Sequence, residues 1–296
     1  MNKVIVRIVG GIGNQLFCYA AARRLAIVNN AELIIDNVSG FTHDYKYRRT
    51  YQLDHFNITA RKSSSWERLE PFERYRRWVM RKVSSFKPFE MRAFIKEERM
   101  DFDPRFLDIR VSGKIYLEGY WQSENYFKDV EGLIRDDLRI LTPVDLQNRK
   151  MASVINCCNS VALHVRWFHD PNSSGGVNNL VDGYYKRAIK LIKKRVPNAH
   201  FFIFSDDPIA AQQRIGLPDN QVTPVFHNQG DEHAYADMWL MSQCQHFIIA
   251  NSSFSWWGAW LSKSMNKTVI APALELREGE SSWGFDGLIP DEWIKL

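Results

Sequence analysis

The 296-residue chain has only four cysteines, Cys18, Cys157, Cys158 and Cys244, and no two of them show zinc-ligand spacing. They are too few and too irregularly placed for a disulfide framework, so they read as reduced, small hydrophobic residues. No apolar run approaches the roughly 18 to 20 residues that a membrane-spanning helix needs. The opening stretch MNKVIVRIVGGIGNQ is too short in its apolar part, and turns to glycine too soon, for a secretory signal. Together these features predict a cytoplasmic protein. Internal repeats, low-complexity tracts and long linkers are also missing, which excludes solenoid and disordered classes. Net charge is small, at +5, and unevenly spread: Arg61 to Lys96 holds eleven Lys and Arg against four Glu. A nucleic-acid protein spreads its basic surface along the whole binding face, so charge confined to one block argues against that partner.

What remains is ordinary soluble composition and enough length for two domains, each with its own core. Val4 to Val9 is a mostly β-branched run ended by Gly10-Gly11-Ile12-Gly13. In the next segment, Phe17, Ala20, Ala21, Leu25 and Val28 share one face of a helix, and Ala31 to Ile35 is a second strand. This β-glycine turn-α-β unit belongs to twisted parallel sheets, which bind ligands at their strand C-termini. Gly11-Ile12-Gly13 followed by Asp36 partly matches a dinucleotide fingerprint with its ribose carboxylate. Leu16 stands where the third glycine should be, so a nicotinamide enzyme trails as an alternative.

Residues 37 to 60 read as irregular. Within the basic block, Phe72, Tyr75, Val79, Val83 and Phe86 repeat at helical spacing, with Arg74, Arg76, Arg77, Arg81 and Lys82 between them. Packing of that apolar stripe into the core, with a solvated basic face, is the simpler reading. Peripheral docking on an anionic membrane at the inner face of the cell is the other, with Trp78 in support. Lys114 to Leu117 predicts a strand, Tyr126 to Leu138 a helix, and Asp145 to about Cys157 another. The domain boundary is expected near residue 150, giving domains 1–150 and 151–296.

The second half alternates strictly. Strands are predicted at Val161–Val165, Phe201–Phe204, Val222–Phe226, Phe247–Ala250 and Thr268–Ala271. Helices fall near Tyr184–Arg195, Pro208–Arg214, Ala234–Cys244 and Phe254–Ser262. The fold class is therefore α/β, with two Rossmann-like, doubly wound domains facing across a cleft.

Function in such sheets collects at the strand C-termini. Those positions hold Gly11, Gly13 and Asn14; His164 and Arg166; Ser205 and Asp206; His227 and Asn228; and Asn251, Ser252, Ser253 and Phe254. The guanidinium of Arg166 suits a diphosphate, held by paired hydrogen bonds, or else an ion pair with a nearby aspartate. The turn from Asn251 to Ser253 starts a helix, which suits either an anion or an ordinary side-chain cap. Asp206 and Asp207 precede Pro208 as a good helix start, and with no third ligand in view no metal is expected.

GGIGNQLF, YLEGYWQSENYF, FIFSDDP and IIANSSFSWWGAWL resemble glycosyltransferase family 11, the inverting α-1,2-fucosyltransferases of bacterial O-antigen gene sets. The resemblance covers nearly the whole chain. It implies a GT-B fold, no required metal or other cofactor, and a GDP-deoxysugar donor bound by the C-terminal domain. The acceptor it implies is a galactose-terminated oligosaccharide, possible in lipid-linked form, held mainly by the N-terminal domain. Asn14, Arg166, the Ser205-Asp206 turn and the Ser252-Ser253-Phe254 turn fall on the family's donor-site motifs. One departure stands out. The family pattern His-x-Arg-Arg-Gly-Asp-Tyr reads His164-Val165-Arg166-Trp167-Phe168-His169-Asp170 here, so a polar wall becomes apolar. An apolar wall relaxes the demand for a fully hydroxylated fucose and makes colitose, its 3-deoxy relative, a rival donor; alternatively Trp167 points into the core.

The leading reading is thus transfer of a 6-deoxy-L-hexose from GDP to a galactose hydroxyl, and the runner-up is a sugar- or nucleotide-binding module without turnover. Arg166, Asn14 and the N–H groups around Ser252 to Phe254 are the expected stabilisers of the leaving phosphate. Asp170 is the preferred general base, ahead of His169, Glu118 and Asp36.

Overall fold

The computed structural model describes residues 1–141, 145–167, 182–228, 230–273 and 283–296. The chain divides into two units, Met1–Leu141 with Asp286–Leu288, and Thr142–Phe285 with Ile289–Leu296.

In the first unit, the branched residues Val4, Ile5 and Val6 make β1 (Lys3–Arg7), buried on both faces as expected of a central parallel strand. The chain then turns at Gly10, whose φ of +77 places it in the left-handed region; a Cβ there would sit 2.9 Å from Asn14 Nδ2. Helix α1 (Ile12–Val28) follows, and then β2 (Glu32–Asp36) and β3 (Arg61–Lys62). Helix α2 (Glu73–Ser85), β4 (Phe94–Lys96), β5 (Lys114–Glu118) and α3 (Glu131–Asp137) complete the set. The five strands form one parallel sheet in the order β3-β2-β1-β5-β4. The expected helix from Tyr126 to Leu138 is shorter, because two 3-10 turns occupy Glu124–Tyr126 and Lys128–Val130.

Helix α2 reverses the simpler expectation for its apolar stripe. Phe72, Tyr75, Val83 and Phe86 are exposed, while Arg77 and Met80 face the sheet and Ser84 is buried. The cause is Asp36 at the end of β2: it draws Arg77 inward to a 3.2 Å ion pair, which turns the arginine side of the helix toward the sheet. A buried carboxylate left without its cation is costly.

The second unit begins with α4 (Leu146–Asn156), which straddles residue 150, and β6 (Asn159–Val165). It continues through α5 (Asp182–Arg195), β7 (Ala199–Ser205), α6 (Pro208–Ile215), β8 (Val222–Pro224), α7 (Ala234–Gln243), β9 (His246–Ile248), α8 (Ser253–Leu261) and β10 (Val269–Ala271). Residues Asp286–Leu288 pass through the first unit, where Asp286 exchanges hydrogen bonds with Asp101 and Phe102. The chain then adds β11 (Ile294–Lys295) to the edge of the second sheet. All six strands are parallel, in the order β8-β7-β6-β9-β10-β11. The chain therefore winds outward from β6 in both directions, and the order reverses between β6 and β9.

Helix α8 is held by indole packing. Trp256 lies 5.0 Å from Trp257, 6.2 Å from Trp260 and 5.4 Å from Trp293, and Trp256 and Trp257 are fully buried. Gly258 brings the helix close to α7, since a Cβ there would lie 2.3 Å from Met241 Sδ. W256A should therefore cost roughly 3 to 5 kcal/mol of stability, the range for emptying a buried aromatic site. Urea denaturation followed by circular dichroism measures this, and a loss under about 1 kcal/mol would show that the indole cluster does not hold α8.

Candidate active site

The reversal between β6 and β9 places the ends of two adjacent strands side by side, and most of the candidate residues of this unit stand there. His164 is the penultimate residue of β6, and Arg166 directly follows the strand. Across from them the chain leaves β9 through Asn251, which is buried, and enters α8 at Ser252. The ring of Phe254 lies 5.5 Å from that of His164.

Ser252 occupies the N-cap position of α8 in extended conformation, but its side chain makes no capping hydrogen bond, and no acidic residue lies in the first turn. An ordinary cap would satisfy one of the first amide donors; the Ser252 side chain does not do so here. The positive end of the helix dipole favours an anion there.

Arg166 is half-buried and makes an ion pair with Asp206 at 3.4 Å. Asp206 also accepts a 3.0 Å hydrogen bond from the Trp167 N–H, so one carboxylate ties the end of β6 to the end of β7. The aspartate partner considered from the sequence is therefore present. The pair with Asp206 holds the arginine in position at the end of β6. Ser205 accepts from the Asp207 N–H, and Asp207 caps α6 by accepting from Ala210 N–H at 3.0 Å.

Trp167 does not form an apolar wall. Its ring packs against the core cluster that includes Tyr184 and Tyr185, with the Arg214 guanidinium 4.9 Å above it. Placed there, Trp167 gives no structural ground for preferring a less hydroxylated donor. Phe168, His169 and Asp170 lie outside the described residues.

His227 and Asn228 follow β8, two strands from β6, and join a separate polar cluster. His227 Nε2 is 3.0 Å from Asn148 Oδ1, and Asn228 Nδ2 donates to Asn148 Oδ1 and to Asp237 at 2.7 Å. Burial pushes the Asp237 carboxyl up to about 7, against the pull of the Asn228 hydrogen bond. Sequence reasoning passed over Asp237. Its one signal was an acid inside the otherwise apolar helical run AYADMWLM.

In the first unit, Gly11 caps α1 without a side-chain bond, and Gly13 is buried within the helix. Asn14 Oδ1 accepts from Gln122 Nε2 at 2.7 Å. Its neighbour Gln15, unremarked in the sequence, is fully buried. It donates to the Gly10 and Thr50 carbonyls at 2.9 and 2.8 Å and accepts from the Gln52 N–H. The Arg49 guanidinium lies against Gly11, within 3.8 Å of where a Cβ would be. Asp36 accepts from the Ser39 hydroxyl, from the backbone of Val38 and Ser39, and from Arg77. With its oxygens so engaged it serves neither as a ribose ligand nor as a general base, which removes the basis for the nicotinamide reading. Glu118, 3.9 Å from Arg7, is the remaining described alternative for the base. Among the described residues, no group of three or more His, Cys, Asp or Glu is placed to hold a metal ion.

His164 is buried, and its Nδ1 makes no hydrogen bond with the described residues. Burial, with a smaller contribution from Arg166, pushes its pKa down to about 3. The folded protein thus holds a neutral imidazole, while the unfolded chain binds a proton near the ordinary value of about 6.5. Its contribution to stability is complete above that value and is lost as pH falls toward about 3. H164Q should flatten this part of the stability–pH profile; an unchanged slope in urea titrations at several pH values would rule out the neutral buried form.

A family model described as Glycosyl transferase family 11 matches residues 3–294. Over 308 aligned residues the chain is 29% identical to an alpha-1,2-colitosyltransferase of Escherichia coli, covering 100% of this chain and 99% of that protein. It is 28% identical to the Escherichia coli O-antigen biosynthesis glycosyltransferase WbnK, with coverages of 97% and 98%. Among solved structures, FUT1 of Arabidopsis thaliana in complex with GDP aligns with a TM-score of 0.54 at 11% identity, over 90% of this chain and 70% of that one. The fucosyltransferase NodZ from Bradyrhizobium aligns with a TM-score of 0.50 at 17% identity, over 87% and 91%. These two likenesses concern the fold. The family match runs from β1 to β11 and takes in the uncapped turn before α8 and the arginine after β6, so the chain belongs to glycosyl transferase family 11 and is a glycosyltransferase.

Proposed function

We propose that the protein transfers a 6-deoxy-L-hexose from a GDP donor to O2 of a galactose residue in α-1,2 linkage, with inversion, in the synthesis of O-antigen or another surface polysaccharide. The two units act as the halves of a GT-B enzyme, with the donor on the second. The observation that carries this reading is the pairing of Arg166 with the uncapped start of α8 at the β6–β9 reversal. A cation beside free amide donors is a complement for a diphosphate. The donor sugar is L-fucose or its 3-deoxy relative colitose; a full-length relative bears the name of the second activity.

In the reaction the acceptor hydroxyl oxygen attacks the anomeric carbon from the face opposite the diphosphate. The new C–O bond forms as the bond to the β-phosphate oxygen breaks, and that oxygen leaves with the electron pair. The hydroxyl proton passes to a base, for which Asp170 is our assignment. Positive charge builds on the sugar and negative charge on the phosphate. Arg166, held by Asp206, and the first amides of α8 neutralise the phosphate charge without needing a metal. Preorganised donors of this kind contribute roughly 3 to 4 kcal/mol each in the best cases. Neutral His164 supplies no positive charge; it fills the space beneath Phe254 and offers an imidazole nitrogen for hydrogen bonding. The carboxylate of Asp237, beside His227 and Asn228, suits the paired N–H donors of a guanine edge.

The test is a donor panel read by mass spectrometry, with GDP-fucose, GDP-colitose and UDP-sugars against a β-galactoside. Product is expected from GDP-deoxysugars and not from UDP-sugars. Binding of GDP-sugar without product would favour the binding-module alternative, and competition between the two GDP donors identifies the sugar.

R166A should lower turnover with the best donor by about a hundred- to a thousandfold while leaving the circular dichroism spectrum intact. Near-normal turnover in that variant would remove Arg166 from the site.

A further inference from the structure

The outward face of α2 belongs to no part of the donor site, and its composition is unusual for a solvent-facing surface. Phe72, Tyr75 and Phe86 are 74%, 65% and 88% exposed, and Trp78 and Val83 are exposed beside them. Trp66, from the preceding loop, extends the patch. Exposed apolar residues of this size in one cluster mark an interaction surface. The exposed cations Arg74, Arg81 and Lys82 stand among them. Tyr75 and Trp78 stack at 6.1 Å with 22° between planes, and the Arg76 guanidinium lies 5.2 Å over the Trp66 ring. Phe72 enters the helix at φ +67, a left-handed conformation unfavourable for a bulky residue, and the fold retains it with the ring turned outward.

We propose that this face docks on an anionic lipid surface. Aromatic side chains combining an apolar body with a polar edge settle at the headgroup level, and basic residues on the same helix are drawn to the surface charge. Phe72, Val83 and Phe86 enter the acyl boundary, Tyr75, Trp78 and Trp66 lie at the interface, and Arg74, Arg81 and Lys82 meet lipid phosphates. A second copy of this chain is a poorer occupant, because the nearby acids already have partners. Glu70 binds Arg68 at 2.8 Å and Glu73 lies 3.9 Å from His43, so two such faces would bring like charges together. The docking surface is independent of the donor chemistry proposed above.

The test uses the full chain in cosedimentation with vesicles of phosphatidylglycerol and phosphatidylcholine, and with phosphatidylcholine alone, at low and high salt. Strong partition to the acidic vesicles is expected at low salt, with release at high salt. With about fivefold in affinity per basic residue, the triple variant R74E/R81E/K82E should partition at least on the order of a hundredfold less. Y75S/W78S/F86S should also lose binding, and both variants should keep wild-type circular dichroism and turnover on a soluble acceptor. Absence from acidic vesicles at low salt, or binding unchanged in both variants, overturns the proposal. It is equally overturned if sedimentation velocity shows a dimer that the aromatic variant loses, or if single-stranded RNA is bound in preference to the vesicles.

Discussion

Winding a parallel sheet outward from one central strand leaves a gap that no loop crosses, and in the second unit that gap lies between β6 and β9. The right-handed crossovers to β7 and β8 carry the chain to one side, and those reaching β9 and β10 carry it to the other. The placement of Arg166 and of the start of α8 depends on the gap. It sets the arginine after β6 beside the start of α8, and the indole packing of Trp256 and Trp257 fixes that helix so its first amides point where the strands end.

Around the gap, charges are arranged by degree of engagement. Arg166 is positioned by the half-buried carboxylate of Asp206. His164 is kept neutral by burial, so it adds no second positive charge next to the arginine. In the first unit the polar residues near the strand ends are instead absorbed into the fold. Gln15 uses its amide to hold the Gly10 turn against the Thr50–Gln52 segment. Glu97 accepts from the backbone of Tyr120 and Trp121 at 2.7 and 2.9 Å and shapes the EGYWQ segment, and Asp36 anchors Arg77. Residue type alone does not separate an engaged side chain from an available one.

Helix α2 shows the same competition on a larger scale. Its apolar and basic residues alternate closely enough that either side could face the sheet. The side carrying Arg77 faces the sheet, where Arg77 pairs with Asp36 and the Ser84 hydroxyl accepts from the Phe94 N–H of β4 at 3.1 Å. The aromatic side is left outward as a consequence. The exposed aromatic face of α2 is thus coupled to the electrostatics of a strand end in the core of its own unit.

From the sequence alone, the alternation of strands and helices was legible, because period and turn residues are local properties of the backbone. Helix α6 begins at Pro208 with Asp207 as its cap, and the residues at the ends of β6 and β9 were identified by position. The strong motif near Phe247 to Leu261 also carried the family. Tertiary structure decided the rest. The short strands β3, β4 and β11 have only two or three residues, too few for a periodic signal, and exist through pairing with a neighbour. Trp167 went to the core rather than the site because Arg214 and the tyrosines of α5 offered it a packed environment. Asp237 became notable only where Asn228 reached it, and the raised pKa of its carboxyl comes from burial that no local pattern encodes. Whether Ser252 caps its helix or leaves the amides open is a matter of one side-chain rotation, set by the surroundings of the turn and not by the serine itself.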